Sequence, residues 1–457
     1  MRIFGNSEAG QLRLVLVVSI LASFVAFLDS SVVTVALPTI TRELGGGLVT
    51  QQWVVDAYLI TLGALMLIAG SLSDLFGRKK VLIWGLIGFA VTSLLCAIAP
   101  NSVFLIAARA AQGVAGALLV PSSLALIIST FPPAKQGKAI GTWTAWTGIA
   151  FIVGPLLGGF VVDAASWRLI FAINLVPVVL TLGLIKLLRR ENVPTDRVKV
   201  DFKGTVLCAV GLGGSVYALI EQAHYGWMSP WVYGPLVVGL LAFGYFLWYE
   251  RHTAAPMLPL GMFKIRNFGV GNAATAAIYG GLSIVTFLIA VFVQQIAHYS
   301  ALESGLALLP VTIIIFLLSP RFGALASKYG PRLFMAIGPL ICAAGLLSML
   351  RVDQTAYYWT QLLPGMALFG VGLSVTVAPL TAAILGAIDS RQAGIGSAVN
   401  NAVARVAGLV AIAMIGLVVG SRLDLGGFHN GLVAVAVLLG LGAAISAIGI
   451  QNPTKPS

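Results

Sequence analysis

Acidic side chains are scarce in this chain: of 457 residues only 15 are Asp or Glu, and all charged types together make up 9%. A water-soluble domain carries roughly 25%, so a soluble globular fold is excluded. Cysteine is nearly absent as well. Cys96, Cys208 and Cys342 stand far apart inside apolar runs, which leaves no disulfide or zinc framework. The histidines, His224, His252, His298 and His429, are isolated from one another, so no metal site is expected. No nucleophile with a base at credible spacing, no ligand cluster and no phosphate-cradling loop occurs. The chain is therefore not expected to be an enzyme or to hold a bound cofactor.

What is present is apolar length. Hydrophobic residues make up 59% of the chain, in runs of about 20 residues that suit membrane-spanning helices. They fall near 14–37, 52–72, 81–99, 103–128, 139–162, 167–188, 203–222, 231–249, 268–295, 303–320, 332–350, 357–385, 393–419 and 430–450. The runs are long and uninterrupted, whereas barrel strands alternate, so an all-α integral membrane protein with fourteen transmembrane helices is expected. The first run has the basic start of a signal peptide but is too long and lacks a cleavage site, so it is read as a retained helix.

Basic residues orient the spans. With the N-terminus inside, twenty-one of the 27 Lys and Arg fall in cytoplasmic segments, against Arg42, Arg168, Arg351 and Arg422 outside. That asymmetry predicts both termini in the cytoplasm of a cell membrane. It also accounts for the net charge of +12 without a nucleic-acid ligand. The basic segment 189–203 is read as a topology anchor, with anionic lipid or a partner protein as the alternative.

An internal repeat divides the chain. "GSLSDLFGRKK" (70–80) follows helix 2, and "GALASKYGPR" (323–332) follows helix 10. Gly70 aligns with Gly323, Gly77 with Gly330 and Lys79 with Arg332, while Ser327 replaces Asp74. Helices 1–6 and 9–14 then form two related six-helix bundles, 1–190 and 267–457, with a two-helix insertion over 191–266. Parallel repeats of six helices are a transporter plan in which a midplane site is exposed alternately to either side.

These segments resemble the major facilitator superfamily, specifically its fourteen-helix drug:proton antiporter branch. "LDSSVVTVALP" (28–38) is similar to that branch's helix 1 signature, and "GSLSDLFGRKK" to the superfamily's helix 2–3 loop. "RAAQG" (109–113) resembles the helix 4 motif and "GPLLGG" (154–159) the helix 5 motif of antiporters. "SWRLIFAINLVP" (166–177) and "GIGSAVNNAVARVAG" (394–408) resemble further segments of the branch, and "GALLVPSSLAL" is similar to methylenomycin-resistance exporters. The resemblance implies the fold of two six-helix bundles and export of small amphipathic drugs or toxic compounds in exchange for protons, driven by the proton gradient. It implies a monomer working in a lipid bilayer. Export of an endogenous metabolite or a lipid-like product is the alternative.

Few ionisable groups lie within the bilayer. Asp29 sits about 12 Å below the outer face and Arg109 about 9 Å, at ~1.5 Å per residue. The family fold sets helices 1 and 4 side by side, so Asp29 is expected to face Arg109. Two readings stay open: a fixed structural ion pair, or a pair made in one conformation and broken in another. In the second, the carboxyl holds its charge beside the guanidinium and takes up a proton when left alone in an apolar site. Asp56, in "QQWVVDAYLI", matches an acid of the quaternary-ammonium exporters and is a second proton-coupling and substrate candidate; a solvated helix-end aspartate is the plainer reading. Trp53 and Tyr58 offer aromatic faces to an organic cation.

Gln112 is expected to orient Arg109 or touch substrate. Asn174, Gln294, Asn400 and Asn401 line the path or hydrogen-bond between helices. Arg405, near mid-depth in helix 13, binds an anionic group or a helix terminus, or is structural. Glu221, Glu303 and Asp163 are expected at solvated outer helix ends. The extra acids that dication exporters carry in helices 10 and 13 are missing, which favours neutral or singly charged substrates. For gating, Gly154, Gly158 and Gly159 permit close helix approach, and Pro155 favours a bend that brings helix 5 against the opposite bundle. Gly70, Asp74, Gly77 and Arg78 are expected to form a cytoplasmic latch, with Asp74 paired to Arg78 or a helix N-terminus.

Overall fold

A computed structural model describes residues 8–189, 200–254, 256–389, 393–420 and 423–452, and no strand occurs among them. The first half comprises α1 (Glu8–Leu44), α2 (Gly47–Phe76), α3 (Arg78–Ala97), α4 (Ser102–Thr130), α5 (Pro133–Gly148), α6 (Ala150–Ala164), α7 (Arg168–Ala172) and α8 (Leu175–Ile185). Two inserted helices follow, α9 (Phe202–Tyr225) and α10 (Pro230–His252). The second half holds α11 (Arg266–Gln295), α12 (Ala301–Tyr329), α13 (Pro331–Ser348), α14 (Leu363–Leu385), α15 (Ala393–Ala413), α16 (Ile415–Val419) and α17 (Leu425–Gly449). α5–α6, α7–α8 and α15–α16 each make one span. Thirteen segments are long and apolar enough to cross a membrane, and the 30-residue α2 completes the expected fourteen.

One of the breaks follows directly from proline. Pro155 lacks the N–H that would serve the Phe151 carbonyl, while α5 and α6 part earlier, at Ile149, whose N–H turns to the Trp146 carbonyl at 3.3 Å. Pro177 likewise leaves the Ile173 carbonyl without its α-helical donor. Val176 N–H takes that carbonyl instead at 3.1 Å, and the helix opens at Ile173–Asn174.

By contact the chain forms two compact units. One holds residues 1–46, 53–213 and 239–257, the other 47–52, 214–238 and 258–457. The inserted helices are shared out between them. In the first unit α1 packs on α4, α6 and α8, and α3 on α4, α7 and α8. In the second, α11 packs on α14, α15 and α17, and α13 on α14 and α17. The pairing is the same, with each element of the second half taking its counterpart's place.

The repeat extends to single side chains. Gly77 and Gly330 both join consecutive helices with positive φ, 91° and 89°, a conformation that disfavours any side chain. Lys79 Nζ donates to the Leu188 carbonyl just beyond α8 at 3.0 Å, and Arg332 Nε donates to the Ala447 carbonyl near the end of α17 at 2.7 Å. Each cation thus meets the negative end of its half's last helix. Gln11 donates to Leu187 O and accepts from Arg189 N; Asn267 donates to Gln451 O and accepts from Gln451 N.

Gly154 and Gly158 serve packing within their own half. A Cβ on Gly154 would overlap Ser31 Oγ, and one on Gly158 would crowd Val32. Ser31 Oγ donates to the Ala150 carbonyl at 3.0 Å, so these glycines let α6 settle onto α1. Gly408 meets Ser283 of α11 in the same way in the second half.

Candidate functional site

Asp29 and Arg109 meet in the interior of the first unit. Arg109 Nη1 donates to Asp29 Oδ2 at 2.6 Å, and each residue is 1% exposed. Ion pairs in such surroundings are costly unless further hydrogen bonds satisfy them, and here they do. Asp29 Oδ1 accepts from Gln112 Nε2 at 3.0 Å and from Asn174 Nδ2 at 2.8 Å. Arg109 Nη1 also donates to Gln112 Oε1 at 2.7 Å, and its Nε donates to the Val54 carbonyl of α2 at 3.0 Å. Gln112 Nε2 further donates to Ser93 Oγ at 2.9 Å. Five elements converge: α1, α2, α3, α4 and the break between α7 and α8. A polar network satisfied on this scale has a defined geometry and a high cost for partial disruption.

Local structure explains why these residues meet. Arg109 and Gln112 lie three apart on α4 and therefore share a face. Asn174 reaches Asp29 from the non-α-helical turn that precedes Pro177. Sequence reasoning left Asn174 among several polar residues, because its aim depends on that break.

The Tyr58 ring, 1% exposed, lies 4.3 Å from the Arg109 guanidinium carbon and offers its face to that cation. Trp53 is half-buried. Asp56 is fully buried, which excludes the solvated helix-end reading, and neither of its carboxylate oxygens has a hydrogen-bond partner among the described residues.

The remaining candidates fall elsewhere. Asn400 Nδ2 donates to Thr275 Oγ1 at 2.8 Å and to Asn272 Oδ1 at 3.2 Å, joining α15 to α11. Arg405 is half-buried on α15. Gly70 has open space where a side chain would stand. Arg78 is half-buried in the first turn of α3. The side chain of Asp74 lies outside the described residues. Gly159 and Pro155 are buried in α6. Glu303 is exposed and closes a capping box with Ser300, as suits an outer helix end.

Fourteen apolar helices in two related halves, with an ion-pair network inside the first, define a polytopic membrane transporter. Residues 19–412 match the Major Facilitator Superfamily, and the chain belongs to that family of membrane transporters. It is 32% identical over 415 residues to Multidrug resistance protein Stp of Mycobacterium tuberculosis, covering 90% of this chain and 76% of that protein. It is 32% identical over 414 residues to Methylenomycin A resistance protein of Bacillus subtilis, covering 89% and 87%. The expected likeness to methylenomycin-resistance exporters is borne out. The inward open xylose transporter XylE from E. coli superposes with a TM-score of 0.66 at 15% identity over 97% of each chain, a likeness of fold alone.

Proposed function

We propose that this chain exports small amphipathic drugs or toxic compounds from the cytoplasm in exchange for protons. The buried Asp29–Arg109 network carries the reading. It places a titratable carboxyl, held by groups from five elements, inside a family whose members move small molecules across membranes. The drug-resistance names of the two relatives support outward transport of toxic compounds.

In the proposed cycle the halves 1–190 and 267–457 rock about the substrate, with the insertion 191–266 travelling alongside. Asp29 keeps its charge while Arg109, Gln112 and Asn174 surround it. Rocking is accompanied by a rearrangement within the first half that shifts α1 relative to α4 and withdraws the guanidinium; the isolated carboxyl then takes up a proton from outside. Its return re-forms the pair and delivers that proton to the cytoplasm. Asp56 is a second carrier in this scheme. Both termini face the cytoplasm and the working unit is a monomer.

The test is reconstitution in vesicles under an imposed pH gradient, with a panel of neutral, cationic and anionic compounds. The wild type accumulates at least one compound against its gradient, and Asp29→Asn abolishes that accumulation. Full proton-driven transport by Asp29→Asn would overturn the proposal.

A further inference from the structure

A side-chain amide has one donating end and one accepting end, and at Asn174 only the donating end is used. Its Nδ2 donates to Asp29 Oδ1 at 2.8 Å and lies 3.4 Å from Ser93 Oγ. Its Oδ1 has no hydrogen-bond partner among the described residues, although the residue is 1% exposed. A buried amide oxygen left in this way carries a desolvation cost. Gln112 differs: its Oε1 accepts from Arg109 Nη1 at 2.7 Å and from the Cys96 thiol at 3.6 Å. Gln112 is held at both ends of its amide, Asn174 at one.

The Asn174 orientation suits a carboxylate, which only accepts hydrogen bonds; a carboxylic acid also carries an O–H that needs an acceptor. A half-turn about χ2, a torsion with a broad two-fold profile, turns Oδ1 toward Asp29 and breaks no bond to that oxygen. Placement favours Asn174 over Gln112 for this task. Gln112 rides on α4 with Arg109, so a shift of α1 relative to α4 carries both away. Asn174 stands between α7 and α8, which both pack on α1, and it stays beside the carboxyl.

Few other ionisable groups face this point. Arg109 reaches it from α4 and Cys96 from α3 through Gln112. On α2, Tyr58 stands over the guanidinium and Asp56 accepts no hydrogen bond from the network. α8 contains none, Arg168 of α7 is paired with Glu43, Lys135 and Lys138 lie in the first two turns of α5, and Asp163 in the last turn of α6.

We propose that Asn174 serves Asp29 in both protonation states, donating to the carboxylate as here and accepting the O–H of the acid after a half-turn of its amide. It is a positioning residue that sets the pH at which Asp29 exchanges its proton. This assignment rests on the export reading above and adds the regulation of its proton site.

The test is an infrared titration of the full chain reconstituted in lipid. It follows the carboxylic C=O stretch of Asp29, identified as the band that Asp29→Asn removes. It is run in the wild type and in Arg109→Leu, which imitates withdrawal of the guanidinium. Asn174→Leu is expected to move the midpoint of that band to higher pH by about one unit, because the carboxylate loses one charge-assisted donor. It also raises the frequency of the band, because the acid loses its acceptor. Asn174→Gln, which keeps an amide, restores part of both shifts. A lower melting temperature with midpoint and frequency unchanged would make Asn174 merely structural and overturn the assignment. A shifted midpoint at unchanged frequency would also overturn it, since only the donor would then matter. No substrate is needed, so the two readings separate. An unshifted band in a protein that exports overturns the Asn174 assignment alone, and shifts in a protein that exports nothing overturn the export reading alone.

Discussion

Asp29 receives hydrogen bonds from three side chains, one of them a guanidinium, whereas Asp56 receives none among the described residues. The difference sets opposite expectations for their removal. Asp29→Leu strands the Arg109 charge in the interior, a loss of about 3–5 kcal/mol by comparison with other broken buried pairs. Asp56→Leu removes an unsatisfied buried carboxyl and is expected to stabilise the protein by about 1–3 kcal/mol while reducing proton-driven accumulation. Thermal unfolding in detergent, paired with vesicle transport, checks both. A lower melting temperature for Asp56→Leu would show that the carboxyl is satisfied in the membrane. The Asp29–Arg109 contact was legible in the chain because two charges at matching depth on neighbouring helices have few other ways to lower their cost. Asn174 was not, because nothing local reveals which way a broken helix points an amide.

At the scale of helices, glycine has two distinct uses. Gly154 clears space for Ser31, whereas a Cβ at Gly70 meets nothing within 4 Å. Gly154→Val is expected to force α6 away from α1 and destabilise by about 1–3 kcal/mol or more. Gly70→Ala is expected to be neutral or stabilising by up to about 1 kcal/mol through helix propensity. Fluorescence-detected size-exclusion profiles after a heat challenge distinguish the two. Equal sensitivity at both positions would show that α6 and α1 tolerate a wider separation. The motif "GPLLGG" marked close helix approach, and the neighbour that Gly154 and Gly158 meet is α1. A small-residue face states that something comes near; only packing states what. The joining glycines were easier to read, since Gly77 and Gly330 recur beside Lys79 and Arg332 in matching loops.

For the whole molecule, coupling energetics connect substrate charge to the membrane potential. One inward proton gains ~2.3 kcal/mol from 100 mV and ~1.36 kcal/mol from one pH unit. For a neutral compound that sum, roughly 3.7 kcal/mol, supports an outward gradient of about 500-fold. A monocation exchanged one-for-one loses the voltage contribution and reaches about tenfold. A monoanion leaving against one proton gains the voltage contribution twice, roughly 6 kcal/mol, for a gradient on the order of 10,000-fold. Export of a neutral compound for one proton is therefore expected to accelerate with an inside-negative potential, and one-for-one export of a monocation is not. Rates measured at several potassium–valinomycin potentials check this, and equal voltage sensitivity of a neutral and a monocationic substrate would count against one-for-one exchange with a proton.

Composition and order alone determined the membrane class, the number of spans, the transporter family and the existence of two related halves. Those properties depend on hydrophobic length and loop motifs, which are local and additive along the chain. Only the tertiary structure decided that Asn174 and Gln112 complete the Asp29 site, that Tyr58 covers Arg109 and that Asp56 is buried. It also set the ring of Phe27 against that of Phe151. Each depends on the direction of a side chain across a helix interface, and that direction follows from breaks, close approaches and neighbours distant in the chain.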